Sequence, residues 1–91
     1  MGKEVRLFKS EEPRSRAQVV EFLHSLADKV SSGHVVLRQG GEELQLHMPA
    51  NLVLEIQVED EQKGRRGVQH SLEIEIKWYD GDDAGGPLEL G

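Results

Sequence analysis

The chain has 91 residues, of which 36% are hydrophobic, 31% charged and only 4% aromatic, and its formal net charge is −6. This length allows one small domain with an aliphatic core. It excludes a TIM barrel, a two-lobed enzyme and a complete dinucleotide-binding fold. Cysteine is absent, which removes disulfides, thiolate zinc sites and thiol catalysis and favours a reducing compartment, the cytoplasm.

The charge is unevenly distributed along the chain. Residues 1–40 contain 7 Lys/Arg and 5 Asp/Glu, a balance of +2, whereas residues 41–91 contain 4 and 12, a balance of −8. Because an acidic chain is repelled by phosphate backbones, we expect no nucleic-acid partner. No apolar run approaches the ~18 residues of a membrane span, so we expect no membrane association either.

The N-terminal part is predicted to form a short strand followed by a helix. Over residues 4–9, apolar and charged residues alternate with the period of two that is typical of a half-buried strand. Ser10 is the predicted N-cap of a helix over about residues 11–31. Pro13 suits the first turn because its missing N–H would have no partner there, but at this position it excludes a capping box with Ser10.

The predicted helix is amphipathic. Val19 and Phe22 widen its apolar stripe, and Gly33 is the predicted stop. The stripe itself recurs in steps of three and four, which indicates one face directed to a core: Ala17, Val20, Leu23, Leu26, Ala27 and Val30.

The remainder reads as strands, predicted at residues 34–38, 44–48, 52–59 and 72–79. The paired glycines within residues 39–42 predict a hairpin turn between the first two of these. The element order β-α-β-β-β-β predicts an α+β fold, in which a single helix packs on one face of a mostly antiparallel sheet.

We predict one domain over residues 1–79 and a flexible tail over residues 80–91. The tail is rich in Asp and Gly, a composition that cannot bury enough surface to order itself.

The last strand carries the most regular alternation, from Leu72 to Trp78. By parity Trp78 lies on the apolar face, where it either closes the core beneath the helix or anchors a partner at the sheet rim. This amphipathic strand ending in tryptophan resembles the amphi-Trp domain family, as does the helix segment over residues 22–28. The resemblance covers about residues 4–79. It implies a small prokaryotic protein and no established activity, so it transfers no catalytic residue.

The other face of the last hairpin is predicted to be acidic. A turn near Gly64 would pair position i with 128 − i and set Glu55 opposite Glu73, with Glu75 and Lys77 on the same face. This face is either a solvated surface or a site for a small ligand or divalent cation. Carboxylates on an open surface lack the burial that raises a pKa for catalysis, so we predict no catalytic residue and no enzyme.

No metal site or cofactor is predicted. The histidines at positions 24, 34, 47 and 70 have no ligand spacing between them, and we expect them to be separate surface or rim residues. The sequence therefore favours a non-enzymatic protein-interaction module. Because so small a core is marginal alone and its sheet has exposed edges, it would be a homo-oligomer, such as a dimer, or bind another protein. The alternative is a small-ligand or cation binder that uses Glu55, Glu73, Glu75 and Lys77.

Overall fold

The computed structural model describes residues 2–81, and these contain one helix and four strands. The elements in chain order are α1 (Arg16–Ser32), β1 (His34–Gln39), β2 (Glu42–His47), β3 (Val53–Gln62) and β4 (Val68–Lys77), with one 3-10 turn, Gly64–Arg66, between the last two strands. The predicted α+β class is confirmed.

The structure tests the predicted N-terminal strand but not most of the predicted C-terminal tail. The strand expected over residues 4–9 does not form, because these residues lie in no regular element. The tail predicted over residues 80–91 lies outside the described residues, apart from a turn at Asp80 and Gly81.

The helix begins at Arg16, several residues after the predicted start. Its N-cap is Ser15, whose Oγ accepts a hydrogen bond from the backbone N–H of Gln18 at 3.1 Å. The Gln18 side chain in turn accepts from the Ser15 N–H at 2.9 Å, which completes a capping box. The prediction of Ser10 as the cap, without a box, is therefore wrong. Pro13 disfavours helical backbone at the residue before it, and Ser15 is the first capping residue beyond this restriction.

Gly33 ends the helix, as the sequence predicted. Its φ of 80° is left-handed, and its N–H donates to the Val30 carbonyl at 3.0 Å. The Met48 N–H donates to the Gly33 carbonyl at 2.8 Å, and a Cβ at position 33 would meet the Met48 carbonyl oxygen at 3.3 Å. The left-handed conformation favours glycine, and the close approach of Met48 adds to this preference.

The chain divides into two compact units, Met1–Met48 and Pro49–Gly91, which we call the N-terminal and C-terminal units. In the N-terminal unit, β1 and β2 form an antiparallel hairpin against which α1 packs through β1. Val35 is 3% exposed and lies opposite Leu46 on the apolar side of this hairpin. The four strands form two two-stranded sheets, one in each unit, and not the single sheet that the sequence suggested.

The C-terminal unit is built on the antiparallel β3–β4 hairpin. Its turn is closed by a hydrogen bond from the Lys63 N–H to the Gly67 carbonyl at 2.7 Å, and it is centred on Arg65 rather than Gly64. Position i therefore pairs with 130 − i, which sets Glu55 opposite Glu75 and corrects the predicted pairing with Glu73. Because the shift is two residues, every side chain keeps its predicted face.

The capping box makes Ser15 the residue on which the start of α1 depends. We expect Ser15→Ala to lower the free energy of unfolding by about 1 kcal/mol, the usual cost of a lost N-cap. Ser10→Ala is the matched control, and we expect it to change stability by less than about 0.5 kcal/mol because Ser10 lies outside the helix. Urea unfolding followed by circular dichroism measures both. Equal losses for the two variants would contradict this assignment.

Candidate functional site

The β3–β4 hairpin presents an exposed apolar surface. Opposite pairs on one side of the ladder are Leu54 with Ile76, Ile56 with Ile74, and Val58 with Leu72. We call this set the hairpin face: Leu54, Ile56, Val58, Leu72, Ile74 and Ile76. Ile76 is half-buried, and the other five side chains are 53% to 70% exposed. The prediction that this face lies in the core is wrong for these residues, because a two-stranded sheet has no second layer of its own to cover them.

Trp78 extends the hairpin face at its open end. It follows β4 directly, is half-buried, and lines an open cleft of about 790 Å³ together with Leu52 and Ile76. Tyr79 also lines the cleft and is 80% exposed. The apolar surface therefore ends in an indole, the type of side chain that most often anchors a protein interface.

A pair of ionisable side chains bounds the hairpin face toward the turn. Asp60 lies opposite His70, one row beyond Val58 and Leu72. The His70 Nδ1 and the Asp60 Oδ1 are 2.6 Å apart, and both side chains are exposed. The face therefore has a polar boundary at its turn end.

The opposite side of the same hairpin is acidic, as predicted. The structure brings Glu55, Glu75 and Lys77 together: Glu55 and Glu75 are paired, and the Lys77 Nζ lies 2.7 Å from the Glu55 Oε1. The hydrogen bond and the charge of Glu55 raise the pKa of Lys77 above its ordinary value. Glu73 shares this side, which we call the acidic face, but it lies opposite Gln57.

Glu73 experiences like-charge repulsion. A hydrogen bond with the Glu59 carboxyl, together with the negative charge of Glu59, raises the pKa of Glu73 above its ordinary value, and the charges of Glu75 and Glu55 add to this effect. The acidic face therefore costs the folded state some stability at neutral pH, because Glu73 is harder to ionise there than in the unfolded chain.

One pair of histidines that sequence reasoning treated as separate is brought together. His34 and His47 lie opposite each other in the β1–β2 ladder, and their rings stack with centroids 4.6 Å apart. This pairing could have been predicted from the sequence, because a hairpin turn over residues 39–42 sets His34 opposite His47. Within residues 2–81, no group of three or more His, Asp or Glu side chains is arranged to hold a metal ion.

Comparison with known proteins gives one result on the family. The Amphi-Trp domain model matches residues 1–91. The chain belongs to the Amphi-Trp domain family. No curated protein and no solved structure matches this Amphi-Trp domain. Among the residues described, no helix of the domain is both long and apolar enough to cross a membrane.

The raised pKa of Glu73 predicts a pH-dependent gain for this Amphi-Trp domain. We expect Glu73→Gln to raise Tm slightly at pH 8, because it removes a charge that the folded state disfavours. The gain should shrink as the pH falls through the raised pKa, and it should be lost below the ordinary value of 4.5, where protonation removes the charge of Glu73 in both states. Thermal unfolding at pH 8 and pH 4 measures it.

Glu61→Gln is the matched control on the same face, because Glu61 pairs with Lys63 at 3.3 Å and should yield no gain. A gain for Glu73→Gln that persisted at pH 4 would contradict the electrostatic cause.

Proposed function

We propose that this Amphi-Trp domain is a non-enzymatic protein-interaction module that self-associates. The observation that carries the proposal is the exposure of the hairpin face, five of whose aliphatic side chains are 53% to 70% exposed. Contiguous apolar patches of this kind on a polar chain mark interaction sites. Burying the exposed part of each side chain contributes about 1–2 kcal/mol, so covering the face stabilises both the hairpin and the complex.

The distribution of charge supports the same function. Between Leu54 and Val58, and between Leu72 and Ile76, the hairpin face carries no charged side chain, whereas the opposite face carries the carboxylates. A partner can therefore cover the apolar side while the carboxylates stay in water, where their ionisation costs least.

The exposure of Glu73 and Glu75 also supports a role other than catalysis. A general acid or base at neutral pH needs a buried carboxyl, whereas Glu73 and Glu75 are open to water and Glu55 is only half-buried. The absence of cysteine supports a site of action in the reducing cytoplasm.

Light scattering after size exclusion tests self-association with two neighbouring substitutions. We expect the unaltered chain to be dimeric at high micromolar concentration and Ile56→Asp to raise the dimer dissociation constant at least tenfold, because it puts a charge on the hairpin face. Gln57→Asp adds the same charge at the next position on the acidic face, and we expect it to leave association nearly unchanged. A monomer at high micromolar concentration, or equal effects of the two substitutions, would overturn the proposal.

A second candidate function is binding of a divalent cation or small ligand at the acidic face. The raised pKa of Glu73 favours it, because a cation would relieve the repulsion between Glu73 and Glu59. It ranks second because, in the described part of the chain, these carboxylates do not form a group able to hold a metal ion.

This candidate predicts that millimolar Mg²⁺ or Ca²⁺ raises Tm, since a ligand that binds only the folded state stabilises it. Glu73→Gln should abolish the shift and Glu61→Gln should retain it. The absence of any shift in the unaltered chain would dismiss the candidate.

A further inference from the structure

The helix carries a second apolar surface that is open to solvent. Val19, Val20, Phe22 and Leu23 are 44% to 57% exposed, and no side chain of α1 is buried. At 100° per residue these four side chains share one side of the first two turns, and we call them the helix stripe. Among residues 2–81, the first unit therefore exposes an apolar helix side and the second an apolar sheet side.

We propose that the helix stripe of one copy of this chain covers the hairpin face of a second copy, and the reverse, in a symmetric dimer with two equivalent contacts. The inference rests on the proposed self-association and names its partner and its docking element. A helix packed on one side of an antiparallel sheet is the layer arrangement typical of α+β folds. If two copies each place their helix on the hairpin of the other, this layer arrangement forms from surfaces that the chain already exposes.

The exposed apolar area favours a dimer in which the helix stripe covers the hairpin face over a dimer in which two hairpin faces meet. A fully exposed aliphatic side chain offers on the order of 100 Å². At the observed exposures the hairpin face then offers roughly 300 Å² and the helix stripe roughly 200 Å².

Two reciprocal contacts would bury about 1,000 Å² of apolar surface, whereas two hairpin faces would bury about 600 Å². Specific interfaces bury roughly 1,200–2,000 Å², of which somewhat over half is apolar. The exchanged dimer lies within this apolar range and the hairpin-on-hairpin dimer falls short of it.

Charge favours the same pairing. Residues 1–48 contain seven basic and seven acidic residues, a balance of zero, whereas residues 49–91 contain four basic and ten acidic residues, a balance of −6. Hairpin on hairpin would bring two strongly acidic units together, and their repulsion would oppose association. Helix on hairpin joins a neutral unit to an acidic one in each contact.

The connection between the two units is short and contains a proline, features that favour the exchange of units between two copies of a chain. Only residues 48–52 link β2 to β3, and they include Pro49. Proline fixes its own φ and keeps the preceding residue extended, which gives a short, stiff connection. Short connections of this kind are frequent sites of exchange between identical chains.

Cysteine crosslinking in the full chain tests the exchange, since the chain has no cysteine of its own. One chain carries Val20→Cys on the helix stripe and a second, isotope-labelled chain carries Ile74→Cys on the hairpin face. We expect a short bismaleimide to join the labelled chain to the unlabelled one when the two are mixed. In the control, Glu73→Cys replaces Ile74→Cys, and it should not crosslink because position 73 lies on the acidic face. The pair Leu23→Cys and Ile56→Cys repeats the test at independent positions.

The outcomes separate this inference from the function on which it rests. A dimer by light scattering in which the Ile74→Cys chains crosslink only to each other, or in which neither mixed pair crosslinks, would overturn the exchange and leave self-association standing. A monomer by light scattering would overturn both. An intrachain crosslink in a third chain, which carries Val20→Cys and Ile74→Cys together, would also overturn both.

A variant without crosslinker supplies a second measurement. Leu23→Asp should raise the dimer dissociation constant at least tenfold if the helix stripe is in the contact. An unchanged constant would overturn the exchange, because contacts between hairpin faces alone would not involve Leu23.

Discussion

A two-stranded antiparallel sheet satisfies its backbone hydrogen bonds along one ladder but has no means of covering either of its faces. This constraint governs the C-terminal unit, whose strands β3 and β4 are each ten residues long. One face is charged and gains from hydration, whereas the hairpin face loses free energy for as long as water touches it. An isolated hairpin is marginal in water and becomes stable when another layer packs on it. The need for such a layer is the physical basis of the self-association that we propose.

The division of charge between the two sides of β3–β4 follows from the same constraint. Carboxylates are tolerated at high density only where water screens them, and the raised pKa of Glu73 reflects the residual repulsion that screening leaves. The contact between Lys77 and Glu55 offsets part of it, although an exposed ion pair contributes little. Electrostatics therefore favours solvent exposure of the acidic face and leaves the hairpin face as the side used in the proposed association.

The sequence predicted the two sides of β4 correctly, but it did not predict the helix cap or the contact between two histidines. The alternation from Leu72 to Trp78 assigned the β4 side chains from residue 72 onward to the correct side. The assignment held despite a register error of two residues, because an even shift leaves strand parity unchanged. The cap of α1 was misplaced at Ser10, because the restriction that Pro13 puts on the residue before it and the capping-box spacing of Ser15 and Gln18 were not taken into account. The contact of His34 with His47 follows from the pairing that the predicted turn over residues 39–42 implies, but a comparison of histidine spacing along the chain does not use that pairing.

The sequence alone determined the α+β class, the amphipathic helix, the strand periodicity and the acidic character of one hairpin side, because each is a property of residues close together along the chain. The tertiary structure decided the register of β3–β4, the division of the strands into two sheets and the exposure of the hairpin face. These depend on the exact centre of a turn and on which surfaces meet at long range. The periodicity of a strand predicts that one side is apolar, but it does not predict which surface covers that side.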